Sequence, residues 1–427
     1  MPETVYYDIA PGVHLACIRD LRFKTGSIDM ELCTPLEKPR AAMNAVLPYV
    51  LLRGSAVYPD MVSLRGAFDD LAGARVEPVI RKKGESHFIG LYADFPDEGC
   101  VSRDQRIPEK VCDLMGQILL APATSGGRLR RDYVDTEREN LIADIRAEIN
   151  DKRSYAESRL REIMFDREAY AVPRIGREIE AKRISVATLT KYYKELMATA
   201  PVYVTYCGSA DPQRMERAVR SALAAIPRRT LVTPPPTAAR AEIGGKTVRF
   251  RSETMDLAQA RLCMGYRLGE TKNEAALLVM NAMLGASPNS RLFRTLREED
   301  GMSYYVSSFA DKYKGALFIS AGLGSENMDK AVKTVEEAVS DLARGSFTDE
   351  ELRSAKVFTM NSIYTAMDSQ SGIVALQLDS DFSGGAPGDL LAGLAELVRP
   401  DDVMECAERA RLDTVYFLSE GEEDHAE

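Results

Sequence analysis

Histidines are the residues of this chain best suited to hydrolytic metal chemistry, and there are three of them, His14, His87 and His425. A hydrolytic zinc site usually needs two or three nitrogen ligands and an open coordination position. No two of these histidines share a local motif, and His425 lies in an acidic stretch over 420–427. We expect His14 to lie in one strand and His87 to begin another, both in structural roles.

Three acidic residues, Glu137, Glu139 and Asp144, follow one another along a predicted helix over 135–155. A carboxylate without nitrogen ligands beside it does not hold catalytic zinc at useful affinity. Charged residues along a helix usually form its solvated face. We therefore expect these three acids to face solvent.

Composition bounds the classes of function that remain. The 427 residues are 45% hydrophobic and 28% charged, which is typical of a globular chain of two or more domains. The net charge of −10 lacks the basic footprint of a nucleic-acid binder. Seven cysteines without a CxxC pair favour free thiols in a reducing compartment. With no signal peptide and no membrane-spanning run visible, we expect a cytoplasmic protein that binds neither nucleic acid nor membrane.

Three consecutive prolines at 234–236 mark the clearest boundary in the chain. Such a run holds an extended conformation and cannot join a helix or a central strand. We predict an N-terminal domain over 1–228, a semi-rigid linker over 229–240 and a C-terminal domain over 241–427.

Short apolar segments recur in the two halves in the same order. Three pairs of positions lie 230 or 231 residues apart: Cys33 with Cys263, Phe88 with Phe318, and Gly54 with Gly285. Each of the two glycines ends an apolar helical segment, where glycine suits a C-cap. Matching order and spacing favour a duplicated domain.

Hydrophobic periodicity predicts strands and helices in both halves. The predicted strands are 13–18, 28–33, 76–80, 88–93, 202–207, 247–250, 259–266, 302–308, 316–323 and 414–418. The clearest predicted helices are 109–120, 135–155, 329–343 and 349–366. The fold class is therefore α+β: two similar α/β sandwich domains, each an antiparallel-rich sheet with helices packed on one face, joined by the proline-rich linker.

Three segments resemble a known family. Residues 289–306, which read NSRLFRTLREEDGMSYYV, are similar to the second-domain segment of the pitrilysin/insulinase (inverzincin) family. Residues 344–352 resemble the start of a helix in that family, and 175–178 with 184–193 resemble a stretch of its first domain. The resemblance covers most of both halves and points to the processing-peptidase branch of two-domain subunits.

Active members of this family carry an H-x-x-E-H helix and a distant glutamate as third zinc ligand. When the sequence is anchored on Arg53-Gly54-Ser55, the matching positions are Ala45, Pro48 and Tyr49, with Asp144 at the third-ligand position. A methyl group cannot ligate zinc, proline cannot act as a base, and tyrosine is a poor ligand near neutral pH. The resemblance therefore implies a degenerate site with no metal, no cofactor and no catalytic residue.

Arg297 and Tyr304 match a family arginine and tyrosine that hold the substrate backbone or the developing oxyanion. Guanidinium and phenol groups are donors suited to that role. The alternatives are a surface ion pair of Arg297 with Asp300 and packing of Tyr304 on the core. The resemblance implies that both residues contact substrate.

The resemblance implies a non-catalytic subunit that binds a peptide or small protein in extended form. A zinc-bearing homologue would complete a peptide-processing metallopeptidase with it. One alternative is a stand-alone or homodimeric peptide-binding protein without peptidase activity. Another is an active metallohydrolase with an atypical site, and a third is a structural subunit of a larger membrane assembly.

Overall fold

Two units make up the chain in a computed structural model that describes residues 3–100, 105–235 and 247–421. Unit 1 comprises Met1–Arg146, Val172–Pro236 and Asp368–Phe382, and unit 2 comprises Ala147–Ala171, Thr237–Met367 and Ser383–Glu427. His425 and part of the predicted linker, residues 236–240, lie outside the described residues.

The strands, in chain order, are β1 (Glu3–Ala10), β2 (Val13–Arg19), β3 (Thr25–Pro35), β4 (Arg75–Lys83), β5 (Ser86–Pro96), β6 (Thr124–Ser125), β7 (Arg128–Leu129), β8 (Val202–Gly208), β9 (Arg249–Met255), β10 (Ala260–Arg267), β11 (Ser303–Asp311), β12 (Ala316–Leu323) and β13 (Arg411–Glu420). Every predicted strand overlaps one of them, although the predicted strand 247–250 shares only its last two residues with β9. The strand β1 and the two-residue strands β6 and β7 were not predicted.

The helices are α1 (Lys38–Leu51), α2 (Met61–Asp69), α3 (Ile107–Leu120), α4 (Arg131–Ala147), α5 (Lys152–Met164), α6 (Glu178–Ala181), α7 (Val186–Thr199), α8 (Pro212–Ala222), α9 (Glu274–Asn281), α10 (Met328–Ala343), α11 (Asp349–Met367), α12 (Gln370–Ser383), α13 (Gly388–Glu396) and α14 (Pro400–Glu408). Two π-helical turns follow α9, over Ala282–Ala286 and Phe293–Glu299. In the described part of the chain, no helix is both long enough and apolar enough to cross a membrane.

The two large sheets repeat one topology, and β6 and β7 form a separate two-stranded sheet. In unit 1 the strand order is β1-β2-β8-β3-β5-β4, and in unit 2 it is β9-β13-β10-β12-β11. In each sheet one pair is parallel, β2 with β8 and β9 with β13, and the other pairs are antiparallel. Unit 2 therefore matches unit 1 strand for strand, with β1 as an additional edge strand in unit 1.

The residue pairs used to detect this duplication do not occupy equivalent register positions in the two sheets. Cys33 lies opposite Phe88 in unit 1, whereas Cys263 lies opposite Ser320 and not opposite Phe318. A shift of two residues keeps every side chain on its face of the sheet, because the side-chain period of a strand is two. The equal offsets thus identify the right strands but not the residue-by-residue correspondence.

Each sheet packs its main helical layer on one face and a helix from the other half of the sequence on the opposite face. In unit 2, Leu160 and Met164 of α5 pack with buried Cys263 and Tyr416 of the sheet. In unit 1, Leu378 of α12 packs against Cys33 and Phe88. These two segments, 147–171 and 368–382, are exchanged between the halves.

The compact units differ from the predicted ranges of 1–228 and 241–427 in that neither unit is one continuous stretch. The exchange explains why the predicted helix over 135–155 is two helices. The chain leaves unit 1 after α4 and enters unit 2 at α5. Asp151 caps α5 by accepting hydrogen bonds from the backbone N–H groups of Arg153 and Ser154, at 3.1 and 3.2 Å.

The predicted role of Gly54 and Gly285 as helix C-caps was wrong, because Leu52 is the C-cap of α1 and Gly285 lies inside a π-helical turn. Neither Gly54 nor Gly285 has a positive φ. A Cβ on Gly54 would lie 2.7 Å from the backbone carbon of Pro59, and one on Gly285 would lie 2.8 Å from Ser308 Oγ. Both positions need glycine because other atoms approach the backbone closely.

A buried charge network holds the exchanged segment in unit 2. The Arg267 guanidinium donates to Asp413 Oδ2 at 2.8 Å and to Glu168 Oε1 at 2.9 Å. Lys314 Nζ lies 2.8 Å from Glu168 Oε2, and Arg249 donates to Asp413 Oδ1 at 2.6 Å. Glu168 belongs to the exchanged segment, so its carboxylate ties that segment to β10 and to the β11–β12 turn.

Unit 1 contains a buried acid pair on the sheet face opposite its main helical layer. Asp29 and Glu31 alternate with core residues along β3, and the Arg81 guanidinium lies 3.3 Å from each carboxylate. One guanidinium cannot offset the burial of two negative charges. Burial and the neighbouring Asp29 carboxylate raise the pKa of Glu31 well above its ordinary value.

Separation of the halves is expected to unfold both. The fragment 1–228 lacks 368–382, and the fragment 241–427 lacks 147–171, so each exposes one face of its sheet to water. Each fragment expressed alone should aggregate, whereas co-expression should yield a folded pair by gel filtration and circular dichroism.

As a control, a protease site placed between residues 236 and 246 of the full chain should be cut without separating the halves. Release of the two halves by cleavage in native buffer would contradict the reciprocal exchange.

The buried acid pair predicts a pH dependence of stability. Folded Glu31 keeps its proton where the unfolded chain has lost it, so its contribution is full below its ordinary pKa of 4.5 and is lost as pH rises through the raised folded pKa. Glu31→Gln, which cannot ionise, should flatten the decline of the melting temperature with rising pH. The exposed Glu77→Gln on β4 should leave the decline unchanged. Identical pH profiles for the wild type and Glu31→Gln would show that Glu31 is not the titrating group.

Candidate functional site

Helix α1 carries Ala45, Pro48 and Tyr49, the three positions that the resemblance aligns with a zinc-binding helix. It begins with a proline in its first turn, Pro39, where the missing N–H has no helical partner to lose. Ala45 and Pro48 are buried, whereas Tyr49 is 44% exposed. The helix therefore presents Tyr49 at its outer side and packs Pro48 into the core beside Leu119 and Met197.

Helix α4 faces α1 across a small cavity of unit 1. On α4, residues 137, 140, 141 and 144 repeat at helical spacing and so share one face. The cavity has a volume of about 300 Å³ and is lined by Ala45, Val46, Tyr49, Glu137, Asn140, Leu141, Ala143 and Asp144. The structure thus brings Ala45, Tyr49 and Asp144 together, and it leaves Pro48 outside the lining.

The inner acid of this cavity is already neutralised. Glu137 is 7% exposed, its Oε1 accepts a hydrogen bond from Arg53 Nε, and its Oε2 accepts one from Asn140 Nδ2 at 3.0 Å. The expectation that Glu137 faces solvent was therefore wrong, because Arg53 offsets the cost of burying its charge. Glu139 is exposed, as expected.

The second acid of this cavity, Asp144, is not neutralised by a neighbouring cation. Asp144 is exposed at the rim of the cavity. Within the described ranges, its carboxylate takes part in no ion pair or side-chain hydrogen bond, and neither does the Tyr49 hydroxyl. The cavity therefore combines an internal ion pair, one unneutralised carboxylate, one free phenol and apolar walls.

These residues do not fit a zinc ion. The cavity offers the Asp144 carboxylate and the Tyr49 phenol, while Glu137 is engaged by Arg53 and Ala45 has no donor atom. Nitrogen ligands, which hydrolytic zinc sites usually use, are absent from the lining. Over residues 3–100, 105–235 and 247–421, no group of three or more His, Cys, Asp or Glu side chains is placed to hold a metal ion.

The two described histidines are strand residues, which confirms their predicted placement. His14 lies in β2, exposed, with its Nδ1 2.8 Å from Asp8 Oδ1. His87 is the second residue of β5 and is buried. Because β8 and β3 separate β2 from β5, the two imidazoles cannot share a metal ion.

His87 belongs to a buried polar chain under α1. Tyr192 donates to Asn44 Oδ1 at 2.5 Å, and Asn44 Nδ2 lies 3.0 Å from His87 Nδ1. Burial, reinforced by Lys82 and Arg174, lowers the pKa of His87 to about 3. A neutral imidazole accepts the Asn44 hydrogen bond at any ordinary pH. The hydrogen-bonded series from Tyr192 through Asn44 to His87 therefore fixes α1 on the sheet.

Arg297 and Tyr304 lie in unit 2. Arg297 is exposed in a π-helical turn, with its guanidinium carbon 4.9 Å from the centre of the Phe293 ring. The Asp300 carboxylate pairs with Lys330 at 2.9 Å rather than with Arg297. Tyr304 is 65% exposed, so it does not pack on the core. Whether either residue contacts substrate stays a prediction.

The backbone explains the exposure of Tyr304. Ser303 pairs with Leu323 and Tyr305 pairs with Gly322, so Tyr304 is the extra residue of a β-bulge in β11. Bulges turn a side chain out of the regular alternation and are common beside functional sites. This feature was not predictable from alternation, which assigns 302–308 as a regular strand.

Comparison with known proteins adds a family match. Residues 183–357 match the family model described as "Peptidase M16 inactive domain". Over 417 residues the chain is 27% identical to "Probable inactive metalloprotease YmfF" of Bacillus subtilis (strain 168), covering 95% of this chain and 96% of that protein. It is also 34% identical over 115 residues to "Uncharacterized zinc protease YmxG" of the same organism, covering 26% of this chain and 28% of that protein.

A solved structure shows the same fold over the whole chain. The crystal structure of a conserved protein from Enterococcus faecalis V583 has a TM-score of 0.90 and 21% identity, and the match covers 99% of each chain. The predicted fold of two similar sheet-and-helix domains is confirmed.

Restoration of the ligand set tests the assignment of the degenerate positions. The variant Ala45→His, Pro48→Glu, Tyr49→His and Asp144→Glu should bind one zinc ion per chain, because the two histidines and the glutamate would then converge on one cavity. Metal analysis after gel filtration measures the stoichiometry.

The matched control keeps the first three substitutions and replaces Asp144 by alanine, which removes the third ligand. It should retain little zinc. If the variant with all four substitutions is folded and binds no more zinc than this control, the assignment of Asp144 as the third-ligand position is refuted.

Proposed function

Because this chain is an inactive homologue of the M16 (pitrilysin/insulinase) metalloproteases, we propose that it is a non-catalytic, peptide-binding subunit. It pairs with a zinc-bearing homologue to form a peptide-processing metallopeptidase. The observation that carries this proposal is the cavity between α1 and α4, whose lining includes Ala45, Tyr49 and Asp144, the residues that the family resemblance aligns with zinc ligands. Catalysis by such an assembly needs zinc from another chain.

Unit 2 supports the peptide-binding part of the proposal. Tyr304 and Arg297 are both exposed, and neither takes part in an ion pair or side-chain hydrogen bond among the described residues. A phenol and a guanidinium that are free in this way can donate to a peptide carbonyl or to developing negative charge. Their match to the family's substrate-contact positions favours this use.

The edge of the unit 2 sheet offers a surface for an extended peptide. The strand β11 ends the described sheet, and on one side it has no neighbouring strand to take its backbone hydrogen bonds. Phe309 of β11 is 59% exposed. An exposed aromatic ring is unusual on an edge strand, where charged residues or proline are typical. An extended peptide added to this edge would satisfy backbone groups of β11 and would cover this ring.

The proposed partner and compartment follow from what the chain lacks. The family's two-subunit enzymes divide zinc binding and substrate binding between homologous chains, and this chain's residues serve only the second role. All seven cysteines are free, and six of them are buried. Free thiols are typical of a reducing compartment, so we propose that the complex acts in the cytoplasm.

Co-purification from the native host tests the partnership. The tagged chain should retain a homologue that carries H-x-x-E-H, and the complex should cleave internally quenched decapeptides that neither chain cleaves alone. Recovery of the chain without any such homologue, or cleavage by the isolated chain, would overturn the proposal.

Within that complex, Tyr304→Phe and Arg297→Ala should each lower kcat/KM by about tenfold or more, since each removes one donor to the substrate. The matched variants Tyr364→Phe and Arg353→Ala change exposed residues of α11 and should leave kcat/KM unchanged. Equal activity of all four variants would exclude Arg297 and Tyr304 from substrate contact.

A further inference from the structure

We propose that unit 2 selects extended peptides that carry an acidic side chain, which meets Arg153, and an apolar side chain two residues away, which covers Phe309. The inference rests on the proposed peptide-binding function and names the class of substrate that this function acts on. It follows from three arginine side chains that lie over one face of the unit 2 sheet, beside its edge strand β11.

Two of these arginines come from helix α5. Arg153 and Arg161 share one face of the helix, with Glu157 between them. The guanidinium carbon of Arg153 is 4.5 Å from the centre of the Tyr305 ring, and that of Arg161 is 6.0 Å from the centre of the Phe318 ring. Both side chains therefore lie over the strands β11 and β12.

The third arginine reaches the same face from within the sheet. Arg261 of β10 pairs with Gly322 of β12, and its guanidinium carbon is 5.6 Å from the centre of the Tyr305 ring. A Cβ on Gly322 would lie 2.5 Å from the Tyr305 ring and 3.0 Å from a terminal nitrogen of Arg261. Glycine thus leaves the space in which the ring and the guanidinium pack.

The carboxylates of the sheet face do not balance these three cations. Glu157 accepts a hydrogen bond from Arg153 Nε at 3.1 Å, and it is the one carboxylate among the described residues within ion-pair distance of the three guanidinium groups. In the same part of the chain, the Arg161 guanidinium takes part in no ion pair or hydrogen bond. Arg261 donates only to neutral oxygens, and its Nε is buried without a partner. The face therefore carries a surplus of positive charge that attracts a carboxylate.

Arg153 is the arginine placed to receive a carboxylate from a peptide at the edge. It donates a terminal N–H to Ser307 Oγ of β11 at 2.8 Å, so its guanidinium lies over the outermost strand, and its side chain is 47% exposed. These two hydrogen bonds, to Glu157 and Ser307, leave other N–H groups of the guanidinium free to donate. A carboxylate that accepts them forms charge-assisted hydrogen bonds, which are stronger than those to neutral acceptors.

An apolar contact lies two residues farther along the same strand. Phe309 follows Ser307 on one face of β11, because side chains alternate along a strand. Its ring stacks on Phe318, with the ring centres 6.5 Å apart, yet it stays 59% exposed. Residues opposite each other on paired strands have Cβ atoms about 4.5–5.5 Å apart. A peptide with an acid opposite Ser307 therefore places the side chain two residues away on Phe309.

The test uses the full-length chain and a decapeptide of threonine and serine with one central glutamate. A phenylalanine two residues before the glutamate and another two residues after it serve either direction of the added strand. Both ends are blocked and the fluorophore is uncharged, so the glutamate carries the only charge. The matched probe has glutamine in its place. Fluorescence anisotropy at low salt should show that the glutamate peptide binds about tenfold more tightly, and high salt should reduce this preference.

Two substitutions locate the contacts. Arg153→Gln should abolish the difference between the two peptides, whereas Arg167→Gln, the same loss of charge at an exposed arginine just after α5, should preserve it. Phe309→Ser should weaken binding of both peptides to the same extent, because the apolar contact does not depend on the charge. Circular dichroism should show that these variants are folded, since all three side chains are exposed.

The outcomes separate this inference from the proposed function. Equal binding of the two peptides, or a glutamate preference that survives Arg153→Gln, would overturn recognition of the acid and leave peptide binding intact. Binding that Phe309→Ser leaves unchanged would refute the apolar contact. Failure of both peptides to bind would overturn this inference together with the peptide-binding part of the proposed function.

Discussion

The buried charge network of unit 2 is the interaction on which this architecture depends. Arg267 binds both Asp413 and Glu168 in the interior, and Glu168 comes from the segment 147–171 that precedes the rest of unit 2 in the sequence. Removal of one member would leave a buried charge without its partner, at a cost of about 3–5 kcal/mol. Apolar packing alone is satisfied by many arrangements of a helix on a sheet, whereas these ion pairs specify one.

The segment 147–171, which contributes Glu168 to this network, begins at the end of helix α4 of the candidate site. Helix α4 ends at Ala147 with the cavity residues on its face, and α5 begins at Lys152 in unit 2. In unit 1, α1 is fixed separately by the chain from Tyr192 through Asn44 to His87. Within unit 1, the pair between Arg53 and Glu137 links α4 to the end of α1. The two walls of the cavity are thus held by polar contacts that need no metal ion.

Much of this structure was predictable from local patterns, since strands of alternating or β-branched residues and amphipathic helices have strong periodicity. The strand β1 was missed because it is an edge strand whose polar and apolar residues are mixed. The exchange of 147–171 and 368–382 was not predictable, because an amphipathic helix carries no signal for the sheet it covers. The break at Asp151 was not predictable for the same reason: the helical pattern continues through it, although α4 and α5 belong to different units.

Some features of the candidate site were also predictable from the sequence, and others were not. The resemblance placed Ala45, Tyr49 and Asp144, which the structure brings together, because their spacing is local or inherited from the family. The Arg53–Glu137 pair joins residues 84 positions apart, and no sequence pattern links them. The exposure of Tyr304 depends on a bulge, which one extra residue in a strand creates without a distinctive composition.

The exchange also sets the order in which the chain can fold as it leaves the ribosome. Unit 1 needs residues up to Phe382, so translation of most of the second half must precede completion of the first sheet. At about 5–20 residues per second, the interval between residue 228 and residue 382 lasts about 8–30 seconds. During that time one face of the nascent first sheet lacks the helix that packs against it, so apolar side chains such as that of Phe88 stay uncovered until this helix is made.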